Sequence, residues 1–297
     1  MHIKRRIFIQ TSAAAGAMGI MTQTAHAFTM PDPPRKATLK LSCQEGVAPE
    51  GSLAEKLDFL EKNGFAGFEV GGGNLSGRVS DLQKALKGRA IKISAICAGF
   101  KGVIISEQEP IRRQAMDSMK EILTAAGELN STGLIIVPAF NNQTKLGNLE
   151  ARPILVDLLK ELGEHAVNVK SRILLEPLNR KEAFFLRQVA DAAAICRDVG
   201  SPGISCMGDF WHMTWEETSD LGAILSAGTY LHHMHIASRK RRKMPGEDEG
   251  DNYVDGFRGL KLLGYQDYVS FECGSVGDKK ATIPAAAKLL REQWEKA

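Results

Sequence analysis

The chain has 297 residues, with 38 Lys and Arg against 35 Asp and Glu. Setting aside Lys4, Arg5 and Arg6, which read as part of a leader, leaves 35 of each sign. A near-neutral remainder lacks the basic excess with which nucleic-acid binders displace phosphate counterions. Five cysteines, Cys43, Cys97, Cys196, Cys206 and Cys273, occur without CxxC spacing and read as buried thiols, although an odd count in an exported chain leaves room for a disulfide.

The first 27 residues read as an address. Lys4-Arg5-Arg6 leads into Ile7-Phe8-Ile9-Gln10, an apolar run through Met21, and Ala25-His26-Ala27, the small-x-small form after which signal peptidases cut. The paired arginines followed by Phe8 resemble the twin-arginine export signal. The apolar stretch from Ser12 to Met21 is shorter than the roughly 20 residues of a bilayer span. The expectation is a signal peptide over 1–27 and one catalytic domain over 28–297, exported to the periplasm or beyond with no stable membrane insertion. That route carries folded proteins and suits an enzyme that acquires its cofactor before leaving the cytoplasm.

From Lys36 onward, short β-rich runs alternate with amphipathic stretches. The spacing predicts strands at Thr38–Cys43, Gly67–Val70, Lys92–Cys97, Gly133–Val137, Arg172–Glu176, Gly203–Met207, Leu231–Ile236 and Tyr268–Cys273. Helices are expected at Ser52–Asn63, Arg78–Lys87, Ile111–Leu129, Arg152–Val169, Arg187–Val199, Glu216–Ala227, Gly256–Leu263 and Lys280–Glu295. Ser52-Leu-Ala-Glu55 has the form of a capping box, and Gly64, Gly88 and Gly200 stand where a left-handed residue ends a helix. Eight successive βα units predict an α/β fold of the (β/α)8 TIM-barrel type, with chemistry at the C-terminal ends of the strands. Gly71 to Gly73 follow the second strand, not the first, so they read as a loop rather than a phosphate-binding fingerprint.

Four chemically competent residues fall at the ends of strands five to eight. Glu176 closes Ile-Leu-Leu-Glu, Asp209 follows Ile-Ser-Cys-Met-Gly, His235 ends His-His-Met-His, and Glu272 closes Val-Ser-Phe-Glu. Charged groups at the ends of buried strands need partners, and in a barrel these four ends are neighbours. Three carboxylates and an imidazole form a hard, oxygen-rich donor set for one divalent ion, Mn²⁺ first, then Mg²⁺ or Co²⁺, with Zn²⁺ less favoured. Each acid alone reads equally as a helix cap or an ion-pair partner; four at consecutive strand ends do not.

Glu176-Pro-Leu-Asn-Arg-Lys-Glu182, Asp209-Phe-Trp-His212-Met-Thr-Trp-Glu-Glu217, His233-Met-His235 and Phe271-Glu272 resemble the xylose-isomerase-like barrels, and within them the ketose 3-epimerases of the tagatose and psicose type. The resemblance implies a metal held by Glu176, Asp209, His235 and Glu272, with Glu176 and Glu272 moving protons on opposite faces of a sugar. Removing a proton beside a carbonyl gives an enediolate that a divalent ion stabilises; reprotonation from the opposite side inverts the carbon. The resemblance also implies sugar contacts from Glu182, His212 and an arginine ahead of Pro245-Gly246. Counting back from that pair selects Arg242, taken as the contact here, whereas counting forward from His235 selects Arg241.

The rest of Arg239 to Lys243 reads as a solvated basic run. Lys181 replaces the aromatic residue usual before Glu182 in such epimerases; it reads either as a contact for an acidic or phosphorylated sugar or, as preferred here, as a solvent-facing side chain. Trp211 and Trp215 are expected either to stack on a sugar or to pack inside, and His232 and His233 to be structural. The expected partner is a small sugar or glycoside, not nucleic acid, with self-association left open. The expected function is an exported metal-dependent sugar isomerase or epimerase. The export signal raises an alternative, a lyase acting on 3-keto glycosides at the same site. A repair endonuclease of related fold would need more histidines than the five outside the leader. A non-catalytic sugar-binding barrel is the remaining class.

Overall fold

The eight apolar runs close into a ring of parallel strands in the computed structural model, which describes residues 36–297; the expected signal peptide over 1–27 lies outside the described residues. The strands are β1 (Lys40–Gln44), β2 (Gly67–Gly71), β3 (Lys92–Cys97), β4 (Leu134–Ile136), β5 (Ile173–Leu175), β6 (Ile204–Asp209), β7 (Leu231–Ile236) and β8 (Tyr268–Phe271). Each pairs with the next, and β8 pairs with β1 to close the barrel. The expected TIM barrel is therefore the observed fold.

The helices are α1 (Leu53–Lys62), α2 (Val79–Leu86), α3 (Glu109–Glu128), α4 (Asn148–Asn168), α5 (Val189–Val199), α6 (Phe210–Glu216), α7 (Asp220–Ala227), α8 (Val254–Leu262) and α9 (Lys279–Lys296). None among the described residues is long and apolar enough to cross a membrane. The capping box at Ser52 forms in both directions: Ser52 Oγ accepts from Glu55 N at 3.3 Å, and Glu55 Oε2 accepts from Ser52 N at 2.7 Å. Gly64, Gly88 and Gly200 adopt φ of +73°, +80° and +68°, the left-handed geometry that ends a helix without steric cost.

The helix expected over Glu216–Ala227 begins later, as α7 at Asp220, and an unexpected helix, α6, precedes it. The additional α6 starts directly from β6 because Asp209 Oδ1 accepts from Trp211 N at 2.8 Å. An aspartate N-cap stabilises a turn whose aromatic-rich sequence carries little helical periodicity. Ser219 then caps α7, accepting from Gly222 N.

The main core lies between the strands and the surrounding helices. Inside the barrel, Ala95, Ile135, Leu174 and Met207 form a separate apolar cluster. Beside it, Ser42 and Ser94 meet at 2.6 Å across β2. Gly67 of β2 makes room for that contact, since a Cβ there would stand 2.7 Å from Ser42. Gly71 ends β2, and Gly72 and Gly73 form the loop expected there; Gly72 is required for close packing, since a Cβ on it would meet Ala98 O at 2.1 Å. All five cysteines are free; Cys43, Cys196 and Cys206 are buried, Cys97 and Cys273 half-buried.

Candidate active site

The strand ends bring the four expected ligands to one place. Glu176 follows β5 and is held by its N–H donating to Ile136 O at 3.0 Å. Asp209 ends β6, and with Oδ1 committed to the α6 cap its other oxygen is left for the barrel mouth. His235 stands in register with Asp209 on one side and Ser270 on the other. Glu272 follows β8, its N–H donating to Ile236 O at 3.3 Å. The four donor atoms all lie within 4.8 Å of one another. His235 Nδ1 is 3.3 Å from Glu176 Oε1 and 3.1 Å from Glu272 Oε2.

A fourth acid belongs to this group and was not among the expected residues. Glu69, buried in β2, accepts from His235 Nε2 at 3.0 Å and from His233 Nε2 at 2.8 Å. Gln44 Nε2 donates to Glu69 Oε1 at 2.7 Å and to Glu272 Oε1 at 3.1 Å, tying this acid to the ligand set. Its signal was present in Gly67-Phe68-Glu69-Val70, where a carboxylate interrupts a β-rich run. His233 lies in the same interior. His233 and His235 are two residues apart and share one face of β7, so His233 works beside His235 in the interior. His232 is the residue on the other face, paired with Asp267 at 2.8 Å.

Since Glu69 accepts from Nε2, the neutral His235 ring carries its proton there and presents the Nδ1 lone pair to the carboxylates. An acceptor facing acceptors needs positive charge between them, either a proton on Nδ1 or a metal ion in its place. Four buried or near-buried carboxylates, Glu69, Glu176, Asp209 and Glu272, meet one arginine, Arg242. The residues present thus fit a divalent cation in both charge and donor chemistry. The titration tendencies express the same imbalance. Burial pushes Glu176 and Asp209 upward. Burial acts likewise on Glu272, but His235 and Arg242 outweigh it and hold that carboxyl at about 2. Burial alone would depress His235, yet Glu69 and Glu272 raise it well above the usual range.

The expected sugar contacts surround this cluster. His212 is buried, and its Nδ1 accepts from Asn179 N at 3.0 Å and from Asn179 Nδ2 at 2.9 Å. Burial lowers its imidazole below the usual range, so the ring is neutral with its proton on Nε2. That Nε2 has no hydrogen-bond partner among the described residues and lies 3.5 Å from Asp209 Oδ2. A buried donor beside the ligand cluster is a place for a substrate oxygen. Glu182 is half-buried and accepts from Asn179 Nδ2 at 3.1 Å, so Asn179 positions both expected contacts.

Of the two arginines left open, Arg242 reaches the site. Its Nη2 lies 3.3 Å from Asp209 Oδ2 and 2.5 Å from Glu272 Oε2, with the guanidinium 4.6 Å from the centre of the Trp211 ring. Arg241 turns away to Asp248. The remainder of the run is not uniformly solvated. Arg239 pairs with Asp220 and lies 4.7 Å over Tyr253 and 5.1 Å over Phe210. Exposed Lys181 does not extend freely into water, but sits 4.6 Å over the ring of Trp215.

A closed parallel barrel with acids and a histidine gathered at its C-terminal mouth defines a class of metal-site barrels. Residues 57–293 match the xylose isomerase-like TIM barrel family, and the chain belongs to it. The chain is 27% identical over 264 residues to the 3-dehydro-D-guloside 4-epimerase of Escherichia coli (strain K12), covering 86% of this chain and 98% of that one. It is 34% identical over 92 residues to the D-psicose 3-epimerase of Agrobacterium fabrum, covering 31% of this chain and 32% of that one. The apo crystal structure of the 3-keto-D-glucoside 4-epimerase from E. coli superposes with a TM-score of 0.77 at 25% identity, covering 86% of this chain and 99% of that one.

Proposed function

We propose that this protein is a divalent-metal-dependent epimerase that inverts a carbon next to the ketone of a keto sugar, with a 3-keto glycoside as the substrate class. The observation that carries the reading is the placement of Glu176 and Glu272, on the ends of β5 and β8, either side of His235 Nδ1 at 3.3 and 3.1 Å. Epimerisation needs two such groups, one to take a proton from carbon and one to return it from the other face. The preference for a 3-keto glycoside over a free ketose is supported by the named relative that spans nearly its full length on this chain, whereas the D-psicose 3-epimerase match spans about a third of that relative.

Glu176, Asp209, His235 and Glu272 would hold the ion, with Mn²⁺ the proposed metal. When bound, it supplies Lewis-acid stabilisation of the negative charge that develops as the proton leaves carbon. The chain's own residues do the rest. Glu176 and Glu272 exchange the proton, the direction being set by the configuration of the carbon presented. His212 Nε2–H and Arg242 donate to sugar oxygens, and Glu182 accepts from a hydroxyl. Asn179 holds His212 in the tautomer that donates.

Elimination from the same substrate begins with the same proton removal and diverges when a leaving group departs. The relatives that align nearly end to end are named epimerases, which favours return of the proton. Export by the twin-arginine route remains part of the proposal, supported by Arg5-Arg6-Ile7-Phe8 and Ala25-His26-Ala27; a protein still recovered from spheroplasts after Arg5 and Arg6 are both replaced by Lys, but from periplasm before, bears it out. The reaction is tested by incubating Mn²⁺-loaded protein with a 3-keto glucoside in D₂O and following the products by NMR. Deuterium beside the ketone together with inversion there supports the proposal; release of the aglycone without inversion overturns it in favour of lyase chemistry.

A further inference from the structure

Arg242 lies on Trp211, and Trp211 is followed one helical turn later by Trp215, the rings 6.5 Å apart and nearly perpendicular. The positions i and i+4 place both indoles on one face of α6. This stripe starts at the carboxylates, through the contact of Arg242 with Glu272, and runs outward to a tryptophan that is 45% exposed. Lys181, adjacent to Glu182, fixes its ammonium 4.6 Å over the Trp215 ring, a cation–π contact that orients the indole. Isolated exposed aromatics are common, but this one is held by a neighbouring cation and connected to the ligand cluster through Trp211 and Arg242.

We propose that Trp215, with Lys181 against it, forms an outer subsite that binds the second ring of a disaccharide substrate, the ring joined to the keto sugar through its glycosidic oxygen. The proposal rests on the keto-glycoside reading above. The inner site supplies polar donors and carboxylates, which suit the oxygens of the reacting ring. The outer stripe supplies the indole face opposite Lys181, which suits the C–H face of a pyranose, while the ammonium holds the ring from its other side. An aromatic platform accepts rings of different linkage, so this subsite adds affinity for the second sugar without fixing one identity.

The test compares kcat/KM on methyl 3-keto-glucoside, which has no second ring, with kcat/KM on the 3-keto derivative of a glucosyl-glucose disaccharide. It uses the metal-loaded full chain and its Trp215→Ala and Trp215→Phe variants. The expected result is that the disaccharide-to-methyl ratio falls roughly tenfold in Trp215→Ala, the size of one stacking contact, mainly through KM, and is largely restored in Trp215→Phe. An unchanged ratio in Trp215→Ala, with wild type active on both substrates, overturns the subsite and leaves the epimerase reading standing. A wild type inert on both glycosides yet active on free ketoses overturns the glycoside reading, and the subsite with it.

Discussion

Glu69 Oε1 accepts the Nε2–H of His235 at 3.0 Å, and this single contact determines which nitrogen of the imidazole faces Glu176 and Glu272. A carboxylate behind a metal-binding histidine fixes its tautomer and raises its basicity, and losing it costs roughly 10- to 100-fold in metal affinity. Glu69→Gln keeps the shape but removes the charge, so Mn²⁺ titration by calorimetry is expected to show weakening of about that size. Unchanged affinity would mean that the tautomer is set elsewhere.

Removing metal should destabilise as well as inactivate. Without the ion, the buried carboxylates of Glu176, Asp209 and Glu272 repel one another with only His235 and Arg242 to compensate. A ligand at about a hundred times its Kd stabilises the folded state by ~2.7 kcal/mol, which for a chain of this size corresponds to a Tm shift of several degrees. Chelation followed by scanning calorimetry should show that fall, and adding Mn²⁺ should restore both Tm and turnover. An enzyme that keeps full activity after exhaustive chelation contradicts the assignment.

His212 is expected to act as a donor through Nε2. His212→Phe fills much of the same space but deletes that donor and strands the two N–H groups of Asn179 that converge on Nδ1. Leaving buried polar groups unpaired costs about 1–3 kcal/mol each, so kcat/KM should drop at least 10-fold. His212→Asn, which retains polar capacity, should lose less. Equal kinetics in both variants and wild type would remove His212 from the site.

The loop carrying Arg242 should be sensitive to acid through Asp248. Its carboxylate accepts from Ser238 Oγ at 2.6 Å, Lys240 N at 3.0 Å and Arg241 N at 2.9 Å. Burial alone would raise its titration, but those hydrogen bonds and Arg241 hold it well below the usual carboxylate range. A folded-state value below the unfolded one, about 3.9 for Asp, means that Asp248 contributes stability fully above that pH and loses it as the pH falls toward the folded value. The Tm gap between wild type and Asp248→Asn should therefore be widest at pH 6 to 7 and narrow on titration below pH 4. A gap that is constant or widens in acid would show that the loop is held by other contacts.

Much of this site was legible because barrels convert sequence order into spatial order. Glu176, Asp209, His235 and Glu272 follow consecutive strands, so placing the strands placed the residues, even though strand limits moved by one or two positions. Glu69 was not legible by that logic, because β2 is far in sequence from β7 and only closure of the ring brings them together. Asn179 was likewise hidden, since an amide that serves two neighbours looks like any loop asparagine. The choice between Arg241 and Arg242 depended on the backbone of one turn: Arg242 adopts φ +53°, and the two side chains diverge there in a way no residue count expresses.

The proposed roles of Glu176 and Glu272 as the two proton-transfer groups of a metal-dependent epimerase are tested most directly by solvent-deuterium exchange in Glu176→Gln and Glu272→Gln, each loaded with Mn²⁺ to a verified stoichiometry. Each variant should lose inversion by at least 10³-fold, the scale of general acid–base catalysis, and the variant that keeps the proton-removing glutamate should still exchange the C–H with D₂O. Inversion at the wild-type rate in either metal-loaded variant would contradict those roles.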